Sequence, residues 1–150
     1  MKFTSLSFST WPLWALGSGF FAGLTAILAK IGLQQQQLDS NLATAIRTGV
    51  ILVFAWSIVW YQGTFRDLPT LSARSVTFLV LSGLATGASW LCYFHALKLG
   101  PASKVAPIDK LSVVWVFLLS GLFLGERISD WRMFAGMACI VTGAILVSLK

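Results

Sequence analysis

Five apolar runs, each long enough to cross a lipid bilayer, alternate with short polar breaks along the chain. A helix rises about 1.5 Å per residue, so about 20 apolar residues span the hydrocarbon core. The runs predict helices over about 12–33, 40–61, 74–99, 102–124 and 131–149. Gln34–Gln37 predict a polar turn, and Asp39 or Ser40 is placed to cap the second helix. Gln62–Ala73 is the longest connection, Gly100-Pro101 the tightest, and Glu126, Arg127 and Asp130 occupy a short loop at the interface, where Glu126 and Arg127 would anchor orientation. The last run ends at Leu149, so no soluble domain is expected to follow, and residues 1–150 are expected to form one membrane domain. The first run is too long and too rich in Trp for a cleaved signal, and no A-x-A site follows it.

Within the runs, small and polar residues recur at helical spacing. Gly19, Gly23, Ala26 and Lys30 share one stripe of the first helix. Gly83 and Gly87 form a G-x-x-x-G in the third, beside Ser82, Thr86, Ser89 and Tyr93. Ala135, Cys139 and Gly143 repeat in the fifth. Small residues at this spacing let helices approach closely, so Gly19, Gly23, Gly83 and Gly87 are expected at helix contacts. The hydroxyl stripe reads either as helix contact or as the wall of a wet cavity. Arg47 shares a face with Ala43, Thr44, Ile51 and Phe54 of the second helix.

The fourth run, from Gly100 to Arg127, carries the densest chemistry. Pro107 sits within its first two turns and supplies no backbone donor. If the helix starts early, the carbonyl of Ser103 is left without a partner and the segment kinks, so Pro107 belongs with the packing residues. Asp109, Ser112, Val116 and Ser120 form a polar stripe. Lys110 points about 100° away from Asp109 on an ideal helix, so the two need different neighbours or a shared cavity.

Composition strengthens the membrane reading. The chain is 57% hydrophobic and 11% charged, against about 25% charged residues in soluble domains. Mean hydropathy is +0.81. The lipid bilayer is therefore the expected partner, and the protein a multi-pass integral one. The net charge of +6 carries no basic block interleaved with aromatics, which argues against nucleic acid. Cys92, Cys139 and His95 are too few for a tetrahedral metal site, and the cysteines read as buried small hydrophobes. No metal or cofactor is expected. Without H-E-x-x-H, G-x-S-x-G or a placed pair of acids, the chain is not expected to be an enzyme.

Ionised groups at bilayer depth cost about 2.5–3.5 kcal/mol each on insertion scales, and mark function or assembly. Here they are Lys30, Arg47, Asp109 and Lys110. Together with Ser112 and Tyr93 they are the candidate substrate or ion pathway, in which the excess of bases favours an anionic or zwitterionic solute. In the rival reading Lys30 and Lys110 reach toward the headgroups and Asp109 pairs with one of them as an assembly lock. Trp56, Trp60 and Tyr61 fit an interfacial belt, and Trp90 and Trp115 lie deeper.

Basic residues barely separate the two sides: Lys2, Arg66, Arg74, Arg127 and Arg132 face Lys30, Lys98, Lys104 and Lys150. An odd number of crossings means that a tandem copy would insert upside down, as in inverted-repeat transporters. A single copy reaches that geometry by pairing with an oppositely inserted one, so an antiparallel homodimer is expected.

Four stretches, FFAGLTAILAKIG at Phe20–Gly32, WLCYFHALKLGPASKVAPIDKL at Trp90–Leu111, LGER at Leu124–Arg127 and GMACIVTGAILV at Gly136–Val147, resemble the EamA-type domain of the drug/metabolite transporter superfamily. The resemblance implies an all-α integral membrane bundle of five transmembrane helices, one half of an inverted-repeat transporter fold. It further implies transport of a small metabolite or drug-like solute across a plasma membrane, the inner membrane in a bacterium, by a secondary transporter subunit working as a homodimer. The alternative is a membrane assembly or regulatory protein that keeps the fold without the transport cycle. The small multidrug-resistance proteins of the superfamily place an acid in the first helix; here that helix offers Lys30 instead, so their cation exchange is not implied.

Overall fold

A computed structural model describes residues 10–35, 38–125 and 130–149; Lys2, Gln36, Gln37, Glu126, Arg127 and Lys150, named above, lie outside them. The described residues form helices α1 (Trp11–Gln35), α2 (Ser40–Gln62), α3 (Ala73–Leu99), α4 (Ala102–Asp109), α5 (Ser112–Leu119) and α6 (Trp131–Ser148), with no strand among them. Five spans are long and apolar enough to cross a membrane, with α4, α5 and a closing π-turn (Ser120–Leu124) making up one of them. The protein is an all-α, multi-pass integral membrane bundle.

Local chemistry sets the ends of these helices. The Asp39 carboxylate accepts from the amides of Asn41 and Leu42 at 2.9 and 3.2 Å. Ser72 caps α3 through the Ser75 amide at 3.1 Å, and Asp130 caps α6 through the Arg132 amide at 3.0 Å. Gly63 and Gly125 close α2 and the π-turn with φ of 72° and 65°, a region that favours glycine. Two connections depart from expectation. Gln34 and Gln35 continue α1 instead of turning, and Thr64–Thr70 of the long connection wind into a 3₁₀-helix.

The fourth run is broken. Because α4 already starts at Ala102, Pro107 lies inside it and cannot donate to Ser103. Past it the backbone tightens. Leu111 donates to Ile108 (3.0 Å), Val113 to Lys110 (3.1 Å) and Val114 to Leu111 (3.0 Å), a 3₁₀-type turn between α4 and α5.

The helices are packed at one end and splayed at the other. α2 packs on α3, α1 on α3 and α4, and α6 on α4. Leu33, Phe94 and Leu97 are buried at the meeting of α1, α3 and α4, with Ala29, Ala43, Trp90, Tyr93, Ala102 and Val105 around them. Ala26, Ser40, Thr44 and Ala144 are also buried, and all lie toward the same membrane face. Toward the N-terminal face the helices diverge. A Cβ added to Gly19, Gly23, Gly83 or Gly87 would meet no atom within 4 Å, so the expected glycine contacts are not made within this chain. Cys92 and Cys139 are exposed rather than buried: Cys92 sits on a face of α3 turned away from the buried Phe94 and Leu97. α5 and α6 meet at an edge-to-face pair, Phe117 and Phe134, with centroids 5.2 Å apart. They otherwise leave an apolar groove of 370 Å³ between them.

The accessible surface is 12474 Å², against about 7,500 Å² for a water-soluble monomer of this mass. Trp11, Trp14, Trp60, Tyr61 and Trp131 gather exposed at helix ends on the splayed side, a belt suited to the headgroup region. Phe94 is 0% and Phe123 77% exposed, so the two phenylalanines should differ. Phe94→Ala is expected to cost about 3–5 kcal/mol. Phe123→Ala should leave stability close to wild type. Thermal unfolding in detergent micelles checks the contrast.

Candidate functional site

Between α1, α2, α3 and the turn after α4 lies a partly open cavity of 210 Å³. Ala22 and Thr25 come from α1, Arg47 from α2, and Ser89, Trp90 and Tyr93 from α3; Asp109 is the last residue of α4 and Lys110 opens the break after it. Four of the six candidate pathway residues are thus brought together. Helix phase supplies the α3 contribution, since Ser89 and Tyr93 are one turn apart on the same stripe. The hydroxyls of Ser82 and Thr86 on that stripe do not reach the cavity, and Thr86 Oγ1 donates back to the Ser82 carbonyl at 2.9 Å. Packing at one end decides which half of each stripe faces protein.

Arg47 is held by aromatic faces. Its guanidinium carbon lies 5.0 Å from the Trp90 ring centroid and 4.7 Å from that of Phe94. Such cation–π contacts offset part of the cost of placing a charge among apolar helices. Guanidinium donors point in its plane, away from stacked rings. Among the described residues, Arg47 has no carboxylate within 4 Å and donates no hydrogen bond. Asp109 and Lys110 instead pair with each other at 3.5 Å, their side chains 37% and 61% exposed. The lysine folds back onto its neighbour across the tight turn, so the two share one cavity. Trp90 both backs Arg47 and lines the cavity. Thr25, on α1 between Ala22 and Ala26, carried no signal in the sequence beyond its phase.

Two candidates lie elsewhere. Ser112 begins α5 past the break and is not among the residues that line the charged cavity. Lys30 turns to backbone: its ammonium donates to the carbonyls of Leu97, at 2.6 Å, and Gly100, at 2.9 Å. These are carbonyls at the end of α3, where helix geometry supplies no donor and the dipole favours a cation. Lys30 thereby ties α1 to the α3–α4 corner. His95 is exposed, and no metal-binding group of His, Cys, Asp or Glu occurs among the described residues.

The cavity and broken helix therefore stand in a five-span bundle whose sequence is matched over residues 9–149 by the EamA-like transporter family. The chain belongs to this family. An uncharacterised transporter of a Sinorhizobium species, from the cobO 3′ region, is 49% identical over 142 residues, 93% of this chain and 97% of that protein. An uncharacterised transporter of Helicobacter pylori is 30% identical over 140 residues, yet the match covers only 45% of its length. The pseudopaline exporter CntI of Pseudomonas aeruginosa is 31% identical over 77 residues, 51% of this chain and 27% of the exporter. No solved structure matches the chain. This EamA-like chain thus spans nearly all of one relative and about half of another. The protein is a transporter-family membrane protein.

The Lys30 contact yields a direct expectation. Lys30→Met leaves two carbonyls without donors and should destabilise the packed end by about 1.5–3 kcal/mol, the range for hydrogen bonds to charged groups. Lys30→Arg should recover part of that loss. Unfolding midpoints of both variants in the same detergent decide it.

Proposed function

We propose that this chain is a subunit of a secondary transporter that carries a small metabolite or drug-like solute through the Arg47–Tyr93–Asp109–Lys110 cavity. It acts as a carrier and not an enzyme, in a plasma membrane, the inner membrane in a bacterium. The observation that supports this most is the meeting of charged and hydroxyl side chains from three spans and a broken fourth in one cavity. A broken span supplies polar side chains without exposing loose backbone to lipid, a recurrent device of transporter sites. The relative named as an exporter supports solute movement as the activity.

We read the working unit as a homodimer of oppositely inserted copies. The splayed end, with its unfilled glycine faces, supports a second bundle there. So does the Helicobacter relative, about twice the matched length. The Sinorhizobium relative supports a unit of single-bundle size. The weak charge bias between the two faces is compatible with both insertions. In this dimer each copy would close the half-open cavity of the other.

Two experiments test the reading. Asp109→Asn, reconstituted in proteoliposomes, is expected to lower solute flux at least tenfold while membrane insertion stays at wild-type level. Loss of insertion or assembly instead would make Asp109 a structural lock and favour a non-transport role. Compartment-specific reporters on the C-terminus should signal from both sides of the membrane; a one-sided signal would exclude the antiparallel pair.

A further inference from the structure

The charged cavity has a neighbour. A shallower groove of 250 Å³ lies between α3 and α4, lined by Ser89, Cys92, Tyr93, Ala96, Val105, Ile108 and Asp109. Ser89, Tyr93 and Asp109 line both spaces and form the wall they share. Each volume alone falls short of the roughly 300–1,000 Å³ usual for small-molecule sites, so a solute of ordinary size must reach over the shared wall into both. Their chemistry differs. One side of the wall holds Arg47, Asp109, Lys110, Thr25 and Ser89; the far side of the groove is Cys92, Ala96, Val105 and Ile108.

Charge selects what fits. Asp109 and Lys110 neutralise each other. The cation left over is Arg47, whose in-plane donors have no protein acceptor among the described residues. A single unmatched positive charge set among apolar helices favours one negative charge, because a second would be brought in without a partner. A planar carboxylate matches the guanidinium fork. A phosphate monoester brings about −1.5 to −2 at neutral pH and overshoots. A cationic solute would face Arg47 unscreened.

We infer that the solute is an amphiphilic monoanion, a carboxylate held by Arg47 whose apolar body passes the Ser89–Tyr93–Asp109 wall into the groove between α3 and α4. The inference rests on the transport-pathway reading above and names the substrate class for it. No bond is made or broken; recognition is by charge at one end and by shape at the other.

The test uses the full chain in discs of phosphatidylcholine, with hexanoate as probe and acetate, hexylammonium and hexyl phosphate as comparators, followed by calorimetric titration. Hexanoate is expected to bind at least tenfold more tightly than each comparator. Arg47→Gln should lose at least tenfold in hexanoate affinity. Cys92→Trp, which fills the groove from an exposed position, should weaken hexanoate and spare acetate, and a monodisperse sample confirms that it folds. Equal binding of acetate and hexanoate, preference for hexylammonium, or an undiminished Arg47→Gln variant would overturn the inference. Competition by phosphatidylglycerol at lower concentration than hexanoate would assign the site to a lipid headgroup, and overturn it too. Arg47-dependent hexanoate binding without hexanoate flux in proteoliposomes supports carboxylate recognition at this site and sinks the transport reading. Flux of other solutes with no carboxylate binding does the reverse.

Discussion

A helix that ends leaves carbonyls without donors, and at the α3–α4 corner two of them meet a side chain from another span. The chain reverses there through Gly100-Pro101, and the last turn of α3 ends in carbonyls that the next helix cannot satisfy. The Lys30 ammonium satisfies both, at 2.6 and 2.9 Å. Around this contact sit the fully buried side chains Phe94 and Leu97, and Leu33 one turn beyond Lys30. The packed end of the bundle is built on it. Both α1 and α4 are positioned through that corner, and α6 follows because it leans on α4.

From that anchored end the helices spread, and the candidate site lies between the two regimes. Arg47 is close enough to the core to rest on Phe94, yet its other side faces the cavity. Asp109 closes α4 two residues after Pro107, and Lys110 follows it with its amide still bonded to the Ala106 carbonyl. The span tightens only from Leu111 onward, so the acid and the base stand side by side at the last helical turn before the break. Toward the splayed end the surface is apolar and unfilled, as a face that packs against lipid would require.

Much of this was legible in the sequence, and the remainder has a common cause. Run length and composition alone gave five crossings, and the order of motifs pointed to the family. Helix phase was also readable: Ala26 and Lys30 do turn inward, as do Ala43, Thr44, Arg47, Ser89 and Tyr93. Position along each helix was not. Gly19 and Gly23 share the stripe of Ala26 and Lys30, Ile51 and Phe54 that of Arg47, and Ser82 and Thr86 that of Ser89, yet none of these packs inside the chain. Periodicity reports an angle about the helix axis. It carries no information on how far along that axis neighbouring helices stay in contact, which depends on crossing angles between distant segments.

The two lysines show the same limit in one residue type. Lys30 and Lys110 both lie within a few turns of the same membrane face, and either reading of an intramembrane lysine suits both from sequence. Their roles separate because of what the backbone offers nearby. Lys30 faces the end of a helix, where carbonyls and the dipole draw a cation into a fixed structural contact. Lys110 stands at a helix break beside Asp109, with 61% of its side chain exposed, and its charge is spent on a neighbour in the cavity wall. A pair so exposed contributes little to stability. That leaves it free to exchange partners at low cost, whereas the half-buried Lys30 contact cannot open without stranding two carbonyls. One lysine is thus held by backbone at a helix end and the other by an exposed carboxylate at a helix break, a difference that residue type and depth alone do not reveal.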